Sequence, residues 1–450
     1  MFQSKKILIL GLARSGYSAA LTLKKLKCEV VVNDLNKEEN LNKEQVTKLK
    51  ELNISCIFGS HPDDLVDKTF DYIIKNPGIR NDHKYVIKAN QLNIPVINEV
   101  ELAYHLLPKN IKIISITGSN GKTTTTTLTY KILKNAGLPV HLAGNIGTPL
   151  CSILDSIKEG DIIVSEISCQ QLANIKDFKP NIAVLTNLSP AHIDFFGSYD
   201  AYKKIKTRIF QNQTKQDIAI LNYDNKDSLD ETKNIKSKKL YISINDKKDA
   251  YYDSNKIYCN RELIMNRDLM FLKGNHNVEN AMDAILVAKL FEVDNKVIIK
   301  VLNEFKGVEH RLEYVDTING VKYYNDTEAT NIKCTQIALS SFKEPIILFL
   351  GGLERGQNFD DLVPYINNVK VIIGIGECRE RVREFAKKNH IENYIFEYLK
   401  DGFNKAKEVS KENDVVLLSP ASASWDQYKE CEERGTEFKK YVEELNNGSY

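Results

Sequence analysis

The chain has 450 residues, with 62 Lys plus Arg against 60 Asp plus Glu and a net charge of +2 at pH 7. The length suits about three domains, and the near-neutral balance excludes the broad positive field of a nucleic-acid or anionic-membrane binder, so any phosphate recognition must be local. Eight cysteines lie scattered at 28, 56, 151, 169, 259, 334, 378 and 431 with no CxxC pair, which argues against a zinc site or disulfide framework and for a reducing cytoplasm.

The opening MFQSKKILILGLARSG places two lysines before an apolar stretch, but Gly11 and Arg14 cut it far short of a membrane span. Residues 7–10 read instead as a buried strand, followed by GLARSG, a helix over about 17–27, and a strand over 30–33 ending in Asp34. This order is Rossmann-like. Ala13 replaces the central glycine of the GxGxxG fingerprint, which speaks against a nicotinamide dinucleotide. Asp34 reads either as an acceptor for a ribose or uracil edge or as a strand-end cap. Strands over 72–75 and 95–97 complete this segment, and Pro108 marks a boundary near 105–110.

The apolar run 111–116 leads directly into GSNGKTT, giving strand, glycine-rich turn and helix in the order a phosphate loop requires. Gly118 and Gly121 free the backbone around Ser119 and Asn120 to curl about an anion. Lys122 reaches the outer phosphates, and Thr123 and Thr124 open the helix, with the Thr123 hydroxyl suited to Mg²⁺. The pattern GxxxxGK[ST] asks for glycine where Ile116 stands, so this is a shortened variant. It predicts ATP or GTP; the bland alternative is an ordinary turn.

Further strands are predicted over 162–165, 182–185 and 218–221, each ending in polar residues, and ligands of open α/β sheets gather at such carboxyl ends. Glu166 and His192 follow two of these strands and are expected at the same edge as Thr123. Taken singly they read as a solvated carboxylate and a structural histidine. Mg²⁺ favours oxygen ligands, so an imidazole implies a second metal site. Residues 224–272, rich in Lys, Asp and Asn, are expected to form a small peripheral sheet or loop outside the core. Helices after Gly274 to about 290 and over 295–305 close this segment. The remainder, with strands predicted over 321–324, 346–350, 371–373 and 415–418, reads as another Rossmann-like unit. The expected fold is α/β in three domains: Rossmann-like over 1–106, P-loop ATPase-like over 107–305, and Rossmann-like over 306–450.

Several motifs then carry a resemblance: GSNGKTT, GNIG at 144–147, EISCQQL at 166–172, HID at 192–194, GNHNVEN at 274–280 and EHRLEYV at 309–315 are similar to those of the Mur ligases. The front segment, YYNDTEATN at 323–331, LGGLERGQNF at 350–359 and LSPASASWDQY at 418–428 resemble the D-glutamate-adding branch. The resemblance implies ATP-dependent amide ligation in peptidoglycan precursor synthesis. ATP would phosphorylate a substrate carboxylate, and the acceptor's amine would attack the acyl phosphate. Implied substrates are UDP-N-acetylmuramoyl-L-alanine and D-glutamate, handled by a cytoplasmic monomer with no nucleic-acid or membrane partner.

By the same resemblance Lys122 is catalytic, Thr123 and Glu166 serve one Mg²⁺ and His192 a second. Lys206, from its own residue type a surface lysine, corresponds to a lysine that reacts with CO₂ to give a metal-directed carbamate. Asn277 and Asn280 correspond to adenine contacts, and Arg311 and Asp326 to further nucleotide contacts. Asn145, Ser15 and Asp34 would meet the UDP substrate, and Thr330, Arg355 and Ser424 the D-glutamate carboxylates. Two positions depart from the pattern: Glu328 stands where many relatives carry lysine, and Cys431 where some place an aromatic ring, with Tyr428 one turn earlier. A sister ligase with another amino acid, or a nucleotide-binding regulator without catalysis, remain the alternative readings; a folate ligase would lack the front segment.

Overall fold

The computed structural model describes residues 1–191, 193–272 and 274–446. Three sheets follow one another along the chain. The first contains β1 (Lys6–Leu10), β2 (Glu29–Asp34), β3 (Ser55–Phe58), β4 (Tyr72–Lys75) and β5 (Val96–Ile97), parallel throughout in the order β3-β2-β1-β4-β5. Its strands are apolar on both faces, as a sheet covered by helices on each side demands. Ile7 and Ile9 of β1 enter one core, while Leu8 and Leu10 enter the other.

The central sheet comprises β6 (Lys112–Thr117), β7 (Val140–Gly144), β8 (Ile162–Glu166), β9 (Ile182–Leu185), β10 (Ile218–Asn222), β11 (Lys238–Ser243), β12 (Ala250–Asp253), β13 (Lys256–Cys259) and β14 (Glu262–Asn266). Their order is β14-β13-β12-β11-β10-β9-β6-β8-β7. Strands β6 to β12 run parallel, and β13 and β14 are antiparallel additions at the edge. This corrects the expectation for 224–272: the segment extends the central sheet rather than lying outside it, and Ala250, Ile257 and Cys259 are fully buried. Polar residues flank some of these inward positions, Asp249 beside Ala250 and Lys256 beside Ile257, which kept the apolar runs short.

A third sheet contains β15 (Glu313–Ile318), β16 (Val321–Asn325), β17 (Ile346–Gly351), β18 (Val369–Ile375), β19 (Glu392–Ile395) and β20 (Val415–Leu418), ordered β15-β16-β20-β17-β18-β19. All neighbours are parallel except β15 on β16. Alternation again separates two cores, with Ile346, Leu348 and Leu350 on one face of β17 and Ile347 and Phe349 on the other. Packing divides the chain into two compact units, residues 1–305 and residues 306 onward. No described helix is long and apolar enough to cross a membrane.

Within the first unit one hydrophobic core runs continuously from Ile7 and Val32 through Leu102 to Ile113 and Ile163, joining the first and central sheets. The helix Glu99–Leu106 bridges them with two buried carboxylates. Glu99 accepts the Cys151 backbone N–H, and burial pushes its carboxyl up to about 7. Glu101 accepts the backbone N–H groups of Lys176, Asp177 and Phe178 at 2.8, 2.7 and 3.0 Å, and lies 3.1 Å from His105 Nε2. A buried carboxylate holding three donors cannot be removed without leaving them unsatisfied. We expect Glu101→Ala to lower stability by about 3 kcal/mol, read as a reduced urea midpoint; a loss below about 0.5 kcal/mol would show that water replaces the carboxylate.

Candidate active site

Strand β6 ends at Thr117, and Gly118 to Gly121 turn the chain into the helix Lys122–Asn135. Gly118 has φ +147°, and a Cβ there would lie 1.9 Å from Thr186 Oγ1. Gly121, the helix N-cap, has φ +81°, and its Cβ would meet Asn280 Oδ1 at 2.2 Å. Both glycines are therefore enforced by backbone geometry and by close neighbours. The loop is held from below: Ser119 N donates to Asn187 O at 2.9 Å, Asn120 N to Asn187 Oδ1 at 3.0 Å, and the Ser119 hydroxyl meets Tyr202 at 2.9 Å. Gly121 supplies no side-chain cap, so the positive end of a 14-residue helix lies open to an anion. Lys122 folds its ammonium onto the Ser119 carbonyl at 2.9 Å.

Beside this loop, the Thr123 hydroxyl donates to Glu166 Oε2 at 2.8 Å, and Asn145 Nδ2 donates to Glu166 Oε1 at 2.7 Å. Register explains the meeting: β8 pairs with β6 so that Glu166 stands opposite Ile116, and with β7 so that Gly144 stands opposite Glu166. A hydroxyl and a buried carboxylate in contact form the hard oxygen set that Mg²⁺ takes, so these residues fit that ion. His192 lies outside the described residues.

Lys206, read from its residue type as a surface side chain, is buried, with 2% of its surface exposed. It sits in the helix Tyr199–Lys206, its Nζ donating to Thr117 Oγ1 at 3.1 Å and lying 5.5 Å from the Tyr202 ring centre. Burial first, and then the Lys122 charge, pull its ammonium down to about 7. The neighbouring Cys169, whose thiol burial pushes up to about 12, and Glu166 oppose this shift without cancelling it. Near neutral pH Lys206 is thus poised to lose its proton and become a nucleophilic amine.

The remaining sequence-derived residues take varied positions. Asn280 is buried and bridges Thr125 at 3.3 Å to Asn277 at 3.2 Å, so it braces the loop's Gly121. At the carboxyl end of β2, Asp34 accepts the N–H groups of Leu12 and Asn36, both at 2.8 Å, which makes it a cap of the GLARSG turn. Ser15 accepts from Asn76 at 3.1 Å. In the second unit, Asp326 accepts the Leu312 N–H at 2.9 Å and the Ser419 hydroxyl at 2.6 Å, and burial pushes its carboxyl up to about 6. Arg311 is exposed, and Thr330 N donates to Glu328 O at 2.8 Å. Ser424 is buried, and its hydroxyl has no hydrogen-bond partner among the described residues. Sequence reading missed Thr117 and Asn187, which hold Lys206 and the loop; a polar residue at the end of one strand and another just beyond its neighbour were the available signal.

Three family models match in succession: the Mur ligase MurD-like N-terminal domain over residues 5–98, the Mur ligase middle domain over 116–288, and the Mur ligase glutamate ligase domain over 310–422. UDP-N-acetylmuramoylalanine–D-glutamate ligase of Geobacillus sp. (strain WCH70) is 44% identical over 445 residues, covering 97% of each chain. The protein of that name from Bacillus cereus (strain G9842) is 41% identical over 447 residues, covering 99% of this chain and 98% of its own. Among solved structures, UDP-N-acetylmuramate-alanine ligase MurC of Thermotoga maritima matches with a TM-score of 0.58 at 20% identity, covering 97% of this chain and 100% of that one. Matches of this length and order, with the phosphate loop and Glu166 at one sheet edge, show that the chain belongs to the Mur ligase family, in which the full-length relatives it matches at 41–44% identity are UDP-N-acetylmuramoylalanine–D-glutamate ligases.

Proposed function

We infer that the chain is an ATP-dependent ligase that joins D-glutamate to UDP-N-acetylmuramoyl-L-alanine in peptidoglycan precursor synthesis. The observation that carries this reading is the 44% identity to a ligase of that name over 97% of both chains. The substrate carboxylate takes the terminal phosphoryl group of ATP, the acceptor amine attacks the resulting acyl phosphate, and phosphate departs. Lys122 and the open end of its helix would hold the triphosphate and offset charge as the phosphoryl group transfers. Thr123 and Glu166 would hold Mg²⁺, with His192 and a carbamate on Lys206 directed to a second ion; such ions neutralise phosphate charge. The lowered Lys206 ammonium supports carbamate formation, because only the neutral amine attacks CO₂. Asn145 would orient the donor substrate, and Ser15 and Asp34 would lie around its UDP end. Thr330, Arg355 and Ser424 would receive the acceptor's carboxylates.

The test is phosphate release by purified protein with Mg²⁺, ATP, UDP-N-acetylmuramoyl-L-alanine and D-glutamate, each omitted in turn, and with L-glutamate in place of D-glutamate. We expect release only with all four components and the D isomer. Turnover with a different amino acid would move the specificity within the family, and no turnover despite tight ATP binding would favour a regulator without catalysis.

A further inference from the structure

We propose that Trp425 is a positioning residue for the acceptor amino acid, its indole serving as the platform that holds the Arg355 guanidinium edge-outward to grip a carboxylate. This rests on the reading of Arg355 as an acceptor contact. The Arg355 Cζ lies 4.5 Å from the Trp425 ring centre, within the range of a cation–π contact. Among the described residues this guanidinium enters no ion pair and no hydrogen bond. The acids adjoining the two residues in sequence are engaged elsewhere: Glu354 pairs with Arg381 and accepts the Gly356 N–H at 2.7 Å, while Asp426 accepts the Glu377 N–H at 3.0 Å. A cation held over a ring face, with no acid of the chain bound to it, keeps its in-plane N–H groups for a ligand.

The platform itself is unusual for its residue type. Trp425 is the single tryptophan of the chain and is 59% exposed, so it contributes little to the core. Its backbone is nevertheless pinned on both sides. The Ser424 carbonyl accepts from Gln427 N at 3.0 Å and Tyr428 N at 2.8 Å, and Asp426 is anchored as above. The facing loop is stapled to the same segment, because Leu353 N donates to Ala423 O at 2.8 Å and Gln357 donates to the Ser422 hydroxyl. Both partners of the stack are therefore carried on fixed backbone, and the buried Ser424 hydroxyl, unpartnered among the described residues, stands next in the chain to the indole. Stacking removes the rotamer freedom that an exposed arginine would otherwise lose on binding.

The experiment compares Trp425→Ala, Trp425→Phe and Arg355→Ala in full steady-state kinetics, with melting temperatures as a fold control, and follows the emission of the lone tryptophan on adding D-glutamate to protein holding the nucleotide substrate and a non-hydrolysable ATP analogue. We expect Trp425→Ala to raise KM for D-glutamate by roughly fivefold to twentyfold with kcat changed less than about threefold and KM for ATP unmoved. Trp425→Phe recovers most of the loss, since a ring remains. Wild-type emission shifts on D-glutamate addition, and the shift disappears in Arg355→Ala. If Arg355→Ala raises KM for D-glutamate but Trp425→Ala does not, the platform is overturned while the acceptor role of Arg355 stands. An unchanged KM in Arg355→Ala would overturn both.

Discussion

Lys122→Ala is expected to lower kcat by about a thousandfold while the protein remains folded. Within the chain its ammonium donates a 2.9 Å hydrogen bond to the Ser119 carbonyl, and the loop is fixed independently by Asn187, Tyr202 and Thr186. On the proposed role of Lys122, removing the ammonium would cost the transferring phosphoryl group its positive partner without collapsing the cradle. ATP affinity, measured by calorimetry, should fall far less than kcat, since the helix end and the backbone of the loop persist. A kcat within tenfold of wild type would remove Lys122 from the catalytic role. The substitution has a second consequence, because the Lys122 charge helps to depress the Lys206 ammonium. Without it, Lys206 should titrate higher and take up CO₂ less readily at neutral pH.

The second large effect concerns Lys206 itself. Lys206→Met is expected to reduce turnover by at least about a thousandfold, as a loss of metal-directed charge at the reacting centre would. It should also raise the melting temperature by several degrees, because a methionine fills the same space without an ammonium to desolvate. The pH dependence has a definite sign. The folded ammonium titrates near 7 against 10.5 for an ordinary lysine, so between those values the unfolded chain binds the extra proton. Unmodified wild-type protein therefore gains stability as pH rises from about 7 to 10.5 and loses it as pH falls back through 7. Lys206→Met should lack this slope in denaturant titrations. The proposed carbamylation would reverse the charge beside Lys122 from repulsive to attractive, and labelled bicarbonate should give a carbamate resonance in the wild type that is absent from Lys206→Met. A variant that keeps full activity, or a wild type that gains no carbamate signal and is insensitive to CO₂ removal, would refute the assignment.

The alternation of apolar strands with helices was legible along most of the chain, because parallel strands covered on both faces must be apolar at consecutive positions. Residues 72–75, 182–185 and 415–418 coincide with strands β4, β9 and β20. Strands β3 and β19, whose residues are mostly half-buried, and β7, with only Ala143 fully buried, lack such runs and escaped notice. The phosphate loop was equally legible, since glycine, lysine and threonine at fixed spacing after a strand express a local backbone requirement. Edge strands β12 to β14 were not: their polar outward residues broke the pattern, and pairing with β11 is a non-local event.

Local order in the chain was therefore sufficient for the α/β class, the nucleotide loop and the family to which the motifs point. Charge state and company were not. The KIK run around Lys206 looks solvated until Thr117, Tyr202 and Cys169 close over it, and Thr117 is 89 residues away. Arg355 and Trp425 lie seventy residues apart, and nothing in either loop announces that one ring will carry the other's guanidinium. Glu101 likewise reads as an ordinary helical carboxylate until three N–H groups of the loop at 176–178 converge on it. Desolvation and long-range pairing depend on which segments fold together, so a pKa near 7, an uncommitted guanidinium and a buried anion emerge only when the sheets assemble.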